Sequence, residues 1–290
     1  MDKYKGEDID ELTNPTWQLL STSFYPNKDL DKIIEIQKII QTNKPDIIML
    51  VEIGGSQSLN NFNQYFLNNE YKPYMAESNS NRGIDVGYLV RNESQINVKF
   101  KSYTKEKLSN GNKLARGLFQ LKVLDKENNL KAFFYLTHLK SKLDLEKKDF
   151  EGRDQRSAEV EYICKKVISN QKLHKTIPHY ICGDLNGIIY KDQTEPELSM
   201  FEKHDFLDVL EHLDRSADER VTYYYFDKSH NRNGFQLDYI LVHKSFKNTI
   251  DQETKVLAFD PHFSAFPPEN LKEKLKMPSD HMPLFAKLKL

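Results

Sequence analysis

Side chains able to hold a hard cation or move a proton recur at the ends of apolar runs in this chain. Glu52 ends "PDIIMLVE", His138 ends "KAFFYLTH", Asp184 and Asn186 close "YICGDLN", and Asp280 and His281 stand in "SDH" just before the last apolar run. Asp85 and Asp238 instead open such runs, in "RGIDVGYLV" and "QLDYILV". Strand ends are rigid platforms, so groups projecting from several of them can converge on one point. Carboxylates joined by an amide oxygen are hard donors that suit Mg²⁺ better than zinc. Taken singly, each residue also has a plain structural use. An Asp at a strand end is commonly a turn former bonded to its own backbone. Glu52, before "IGGSQS", reads equally as a solvated terminus, and a lone His such as His138 or His281 is more often structural than catalytic.

The elements that must carry these residues are mostly strands. Apolar and β-branched runs predict strands at 17–24, 45–52, 84–91, 114–124, 131–138, 178–184, 220–226, 237–243 and 283–290. Helical periodicity marks 28–40, with Leu30, Ile33, Ile34, Ile36, Ile39 and Ile40 largely on one face, and 144–170, with Ala158, Ile163, Cys164, Val167 and Ile168 inward. The opening strand, helix and strand suggest a parallel crossover. A hairpin-like pair over 114–138, many strands and few helices fit two packed sheets flanked by helices.

Composition narrows the function classes. With 42 Lys plus Arg against 43 Asp plus Glu, no global charge points to nucleic acid or an acidic membrane, so a polyanion must be met by a local patch. No apolar run reaches the roughly 18 residues of a membrane span, and the N-terminus lacks the apolar core of a signal peptide. A soluble, cytoplasmic protein is expected, or a secreted or periplasmic one if a leader has been removed. The two cysteines, Cys164 and Cys182, have no zinc-site spacing and read as buried thiols. Without a repeat, a low-complexity linker or a Pro/Gly/Ser-rich break, residues 1–290 read as one domain with 1–15 as an N-terminal extension. A monomer with no protein partner is expected.

Together "PDIIMLVEIG", "ICGDLNG", "QLDYILV" and "SDHMPLFAKLKL", in this order over 17–290, resemble the endonuclease/exonuclease/phosphatase superfamily, whose members include pancreatic-type deoxyribonuclease. "RGIDVGYLVR", "THLKSK" and "VTYYYFDKSHNRNGFQLDYILV" are most similar to its bacterial extracellular-nuclease-like branch. The resemblance implies a four-layer α/β/β/α sandwich of two facing mixed sheets with helices outside, and phosphoester hydrolysis dependent on Mg²⁺, or on Mn²⁺ or Ca²⁺ in its place. The chemistry independently asks for such groups: hydroxide must be generated beside a shielded phosphorus, and the departing alkoxide must be stabilised. By the resemblance Glu52 holds the metal, with Asp280 acting directly or through water. Asp184 orients or deprotonates the attacking water, and Asn186 fixes it or a phosphate oxygen. His281 contacts the scissile phosphate while Asp238 accepts its other ring N–H, and His138 with Asp85 forms a second such pair. A carboxylate in reach favours the imidazolium of both histidines. Lys140, Ser141, Arg153 and Arg156 are candidate phosphate clamps, with Arg82 beside them. Lys142 reads better as part of a solvated face.

Two departures stand out. The superfamily's first strand normally ends in an asparagine after an aromatic residue, where this chain has "LLSTSFYPN", with Ser23 or Tyr25 near the place and Asn27 as the substitute ligand. "GDLNG" carries Gly187 where nuclease-like relatives often carry an aspartate. The leading expectation is a Mg²⁺-dependent endonuclease on DNA or RNA. A soluble phosphatase or phospholipid phosphodiesterase on the same core is the alternative, and a binding protein that has lost turnover is the third reading.

Overall fold

The computed structural model describes residues 12–21, 26–80, 83–143, 147–191, 193–260 and 267–290. The larger sheet is built from β4 (Asn97–Ser102), β5 (Leu118–Leu124), β6 (Leu130–His138), β7 (His179–Asp184), β8 (Phe206–Asp208) and β11 (Asp238–His243) in the order β4-β5-β6-β7-β11-β8. Its pairs are antiparallel except for β6 with β7, which is parallel. The hairpin expected over 114–138 is β5 with β6. A smaller sheet orders β1 (Ile47–Ile53), β2 (Tyr71–Met75) and β3 (Asp85–Arg91) as β1-β3-β2, antiparallel throughout.

Pleat alternation sorts the side chains into layers. Val86, Tyr88 and Val90 of β3 pack on Phe119, Leu121, Phe134, Leu136, Tyr180 and Cys182, so the two sheets face each other over a shared core. The Tyr88 hydroxyl accepts from Leu136 N at 2.9 Å and lies 2.8 Å from Phe119 O, joining the two sheets by hydrogen bonds. The residues of opposite parity, Phe133, Tyr135 and Ile181, pack instead against Val160, Ile163 and Val167 of a long helix, Arg153–Leu173. Leu89 and Ile53 face Ile40 and Leu59 of the helices Leu30–Asn43 and Ser56–Phe66. The result is helix, sheet, sheet, helix. In chain order the helices are α1 (Asn14–Leu19), α2 (Leu30–Asn43), α3 (Ser56–Phe66), α4 (Arg153–Leu173), α5 (Ser199–Lys203), α6 (Val209–His212) and α7 (Leu271–Lys276). Strands β9 (Tyr223–Phe226) and β10 (Arg232–Phe235) form a separate hairpin, and β12 (Lys255–Val256) pairs β13 (Leu284–Phe285).

The N-terminal expectation is corrected. The described part of 17–24 is helix and turn, not strand: Thr13 caps α1 by accepting from Thr16 N at 3.4 Å, Pro15 sits in the first turn, and Trp17 buries its ring edge-on against Phe66 at 5.0 Å. Among the described residues no strand precedes β1, whose pairing is antiparallel with β3; residues 22–24 of the expected first strand lie outside the described residues. The long helix begins at Arg153 rather than 144. Residues 147–152 are turn and 3₁₀ helix, and 144–146 lie outside the described residues, as do Ser23, Tyr25 and Arg82. Both cysteines are free and buried, and burial pushes the Cys164 thiol up to about 12.

Candidate active site

Strand register lines up three of the expected residues. His138 is the Cα partner of Asp184 across the parallel β6–β7 pair, and Asp238 is its partner across the antiparallel β7–β11 pair. Cross-strand partners share a sheet face, so the row His138–Asp184–Asp238 extends the inner core face beyond Leu136, Cys182 and Ile240. The parallel pair is unusually close: a Cβ on Gly183, whose φ is 127°, would lie 1.9 Å from Thr137 O. Only glycine permits that approach.

Asp184 is buried and held on both oxygens. Oδ1 accepts from Asn186 N at 2.8 Å, Oδ2 accepts from Asn186 Nδ2 at 3.1 Å, and His138 Nε2 stands 3.3 Å from Oδ2. Burial first, and then the charge of Asp238, push the carboxyl up to about 7, against the opposing pull of His281 and the Asn186 N–H. Asn186 adopts φ 49°, which Asn tolerates in a turn, and its Nδ2 also donates to Leu139 O at 3.1 Å. Both amide protons are thereby used, and Oδ1 remains to accept from water.

His281 Nδ1 donates to Asp238 Oδ2 at 2.7 Å, the pair expected. Desolvation lowers its basicity, but the attraction and hydrogen bond of Asp238, helped by Asp184 and Asp280, prevail and hold the imidazole up at about 9. Thr222 secures this pair from beneath. Its fully buried Oγ1 accepts from Leu237 N at 3.0 Å and from Asp238 N at 3.1 Å, and its carbonyl accepts from Met282 N at 2.7 Å. The Tyr223 ring lies 4.9 Å from the His281 ring. The strand expected over 220–226 carried no sign of this role beyond lying shortly before the Asp238 strand.

Glu52 leaves the ladder at a β-bulge, where the β1–β3 register shifts between Leu50 and Ile53. With φ 58° and an exposed side chain it is re-aimed out of the pleat, a common use of a bulge. Its charge acts on Asp184 and on Lys28, and Asp280 acts on Lys28 and His281. Glu52, Asp184, Asp238, Asp280 and His281 therefore share one electrostatic site. Lys28, which sequence reading missed, is exposed as a residue, but local desolvation pulls its ammonium down while Asp280 and Glu52 resist. The neighbouring Asn27 uses Nδ2 on Trp17 O at 2.8 Å, tying its side chain to α1.

Several expectations are corrected. The carboxylate at ion-pair distance from His138 is Asp184, not Asp85. Asp85 has the parity of Leu89, away from Val86 and Tyr88, and its Oδ1 accepts from Ser78 N at 2.8 Å. Arg156 is no phosphate clamp: it is 0% exposed, bonded to Glu197, to Glu151 O at 2.7 Å and to Lys140 O at 3.1 Å. Arg153 pairs with Glu151 at 2.7 Å. Lys140 turns its ammonium to Ser141 O at 3.0 Å, so Lys140 and Ser141 close their own loop. Lys142 is exposed, as its reading on a solvated face expected, and it pairs at the surface with Glu195 at 2.6 Å. Gly187 has no room for the relatives' aspartate, because a Cβ there would lie 2.7 Å from Leu198 Cδ1 and 3.1 Å from Glu195 Oε2.

Among the described residues no three His, Cys, Asp or Glu side chains converge as a metal cage. Glu52 and Asp280, exposed and anionic, instead fit a hard cation that keeps most of its waters and takes its remaining oxygens from substrate.

The chain is similar in fold to several solved structures. Truncated TDP2 from Caenorhabditis elegans has a TM-score of 0.61 and 18% identity, over 89% of this chain and 90% of that one. D. rerio TDP2 complexed with a single-strand DNA product has a TM-score of 0.61 and 14% identity, over 90% and 92%. The mannosyl-6-phosphatase Bt3783 of Bacteroides thetaiotaomicron has a TM-score of 0.55 and 16% identity, over 90% and 91%. No curated protein matches the sequence. The profile of the Endonuclease/Exonuclease/phosphatase family matches residues 5–274, and with the sandwich and the Glu52, Asp184 and Asp238 constellation already placed, the chain belongs to this family of phosphoester hydrolases.

Proposed function

We propose that this chain is a Mg²⁺-dependent phosphodiesterase that cleaves nucleic acid. The observation that carries the reading is the Asp184–Asp238–His281 line: a carboxyl raised to about 7 stands one strand away from an imidazole raised to about 9. Near neutral pH one group takes a proton and the other donates one, which is the separation acid–base catalysis needs. Asp184 accepts a proton from the attacking water, with Asn186 and His138 fixing its oxygens. His281, oriented through Nδ1 by Asp238, presents Nε2–H to the phosphate, where it offsets developing charge on oxygen. Glu52 and Asp280 would hold the divalent ion, which when bound supplies Lewis acidity at the phosphoryl group. The fold shared with the D. rerio TDP2–DNA complex supports a polynucleotide substrate.

The test is hydrolysis of single-stranded DNA, RNA and a sugar phosphomonoester, each with Mg²⁺ and with chelator, beside Asp184→Asn. Mg²⁺-dependent cleavage of a nucleic acid, reduced at least 10²-fold in the variant, is the expected result. Turnover confined to the monoester would move the assignment to a phosphatase. Cleavage that survives Asp184→Asn undiminished would remove the site.

A further inference from the structure

Among the described residues, the basic side chains expected to grip phosphate are used elsewhere: Arg156 by Glu197, Arg153 by Glu151, and Lys140 by backbone oxygens. One cation beside the catalytic row is not. Lys274 Nζ sits 3.8 Å above the centroid of the Tyr223 ring, and that ring packs on His281. Among the described residues no carboxylate lies within ion-pair distance of Lys274. Its neighbour Glu273 turns the other way, with Oε2 accepting from Glu269 N at 2.7 Å.

The seat is built rather than incidental. Tyr223 forms a backbone bridge with His281, and Thr222 holds the segment after His281 through Met282 N. The helix carrying Lys274 is anchored to α2 by Lys32 Nζ, which donates to Leu275 O at 2.7 Å. Its sequence, "LKEKLK", brings two further lysines, 272 and 276, to the same short helix. A cation over an aromatic face is held by the ring quadrupole without being neutralised. Lys274 thus keeps its charge while its position relative to His281 is set by one ring.

We infer that Lys274, seated on Tyr223, binds the phosphate adjacent to the scissile one, making the enzyme selective for chains that carry a neighbouring phosphate. The inference rests on the nuclease reading of the same site. Two contacts held on one aromatic ring can meet two phosphates of a substrate backbone at once, which a monoester lacks. An ammonium on a phosphate acts as a point charge, so the contact favours neighbouring charge without reading base identity.

The experiment compares kcat/KM at low salt for the dinucleotides TpT, pTpT and TpTp with Mg²⁺, for wild type, Lys274→Gln, Lys274→Arg and Tyr223→Leu. Wild type is expected to prefer one phosphate-bearing form over TpT by about tenfold, the effect of one charged contact. Lys274→Gln should collapse that ratio through KM, Lys274→Arg should retain most of it, and Tyr223→Leu should erode it although the lysine remains. Taking the ratio cancels any loss common to all three substrates. A preference unchanged in Lys274→Gln overturns the subsite alone. A wild type that cleaves neither the dinucleotides nor longer single-stranded DNA or RNA but hydrolyses a phosphomonoester overturns the nuclease reading, and the subsite with it; cleavage of the longer strands at a rate unchanged in Lys274→Gln overturns the subsite alone.

Discussion

Asp184 and Asp238 are cross-strand partners on β7 and β11, two carboxylates side by side on the inner face of the large sheet. Only one of them meets an imidazole through a short bond: Asp238, with His281 at 2.7 Å. The asymmetry separates their roles. Asp238 is compensated by His281, while Asp184, buried and facing that neighbour, is driven toward its neutral form. The proposed mechanism requires Asp184 ionised and His281 protonated. The expected kcat/KM profile is therefore a bell with limbs near the two values, about 7 and about 9. Asp238→Asn should pull the alkaline limb down by removing the attraction that holds the imidazolium. A limb left in place would show that another group sets it.

The same two groups shape stability. Each has a folded pKa above its ordinary value, 3.8 for Asp184 and 6.5 for His281, so in each window the folded chain holds one proton more than the unfolded chain. Both contributions are fully present below the ordinary value and are lost as pH rises, from about 4 to 7 for Asp184 and from about 6.5 to 9 for His281. Each window has a slope of at most about 1.4 kcal/mol per pH unit. Urea unfolding across pH 4–9 of apo protein measures this. Asp184→Asn should remove the acid-side window and shorten the alkaline one, because the carboxylate helps hold the imidazolium, and His281→Gln should remove the alkaline window while extending the acid-side one.

Gly183 is the backbone counterpart of that row. Alanine there would place Cβ at 1.9 Å from Thr137 O with φ at 127°, so β6 and β7 must separate where His138 meets Asp184. Gly183→Ala should cost about 3 kcal/mol or more, as overpacking combined with an unfavourable φ does. Activity should fall even in the fraction that remains folded. A thermal melt within a degree of wild type would contradict the close approach.

Much of this was legible in the sequence because strand ends are written in it. "LVE", "LTH", "GDLN", "LDYIL" and "SDH" mark where apolar alternation stops and chemistry begins, and the register then aligns them. What was not legible depends on partners distant in sequence. Arg156 looked like a clamp at the start of a helix, until Glu197, forty-one positions later, took its guanidinium into the core. His138 pairs with Asp184 rather than Asp85 because strand parity, invisible without the pairing, turns Asp85 toward the helices. The run 17–24 had strand composition, yet the Thr13 cap and Pro15 put its described start, through Leu19, into a helix. Thr222 left no mark, since its role lies in backbone N–H groups it accepts from elsewhere.

Lys28 yields a prediction about metal affinity. Its ammonium lies in the field of Glu52 and Asp280, the two carboxylates proposed to hold the divalent ion, and so would compete with that ion for the same negative charge. Removing a unit charge near a partly exposed cation site is worth about 1 kcal/mol. Lys28→Gln should therefore bind Mn²⁺ about fivefold more tightly by calorimetry. An unchanged or weaker affinity would place the lysine outside the ion's reach.

Thr222 offers the sharpest separation of positioning from packing. One hydroxyl oxygen accepts from both Leu237 N and Asp238 N, and the carbonyl of the same residue accepts from Met282 N, so the strand bearing Asp238 and the segment bearing His281 are tied to a single residue. Thr222→Val keeps the volume and the carbonyl but leaves two N–H groups without their acceptor, a cost of about 1–3 kcal/mol for each one that stays buried. Thr222→Ser restores the acceptor and gives up only a methyl group. If the hydroxyl positions the pair, the valine variant should lose kcat by tenfold or more with KM little changed, and the serine variant should recover it at slightly lower stability. Equal loss in both variants would mean that the methyl group's packing, rather than the two hydrogen bonds, holds Asp238 against His281.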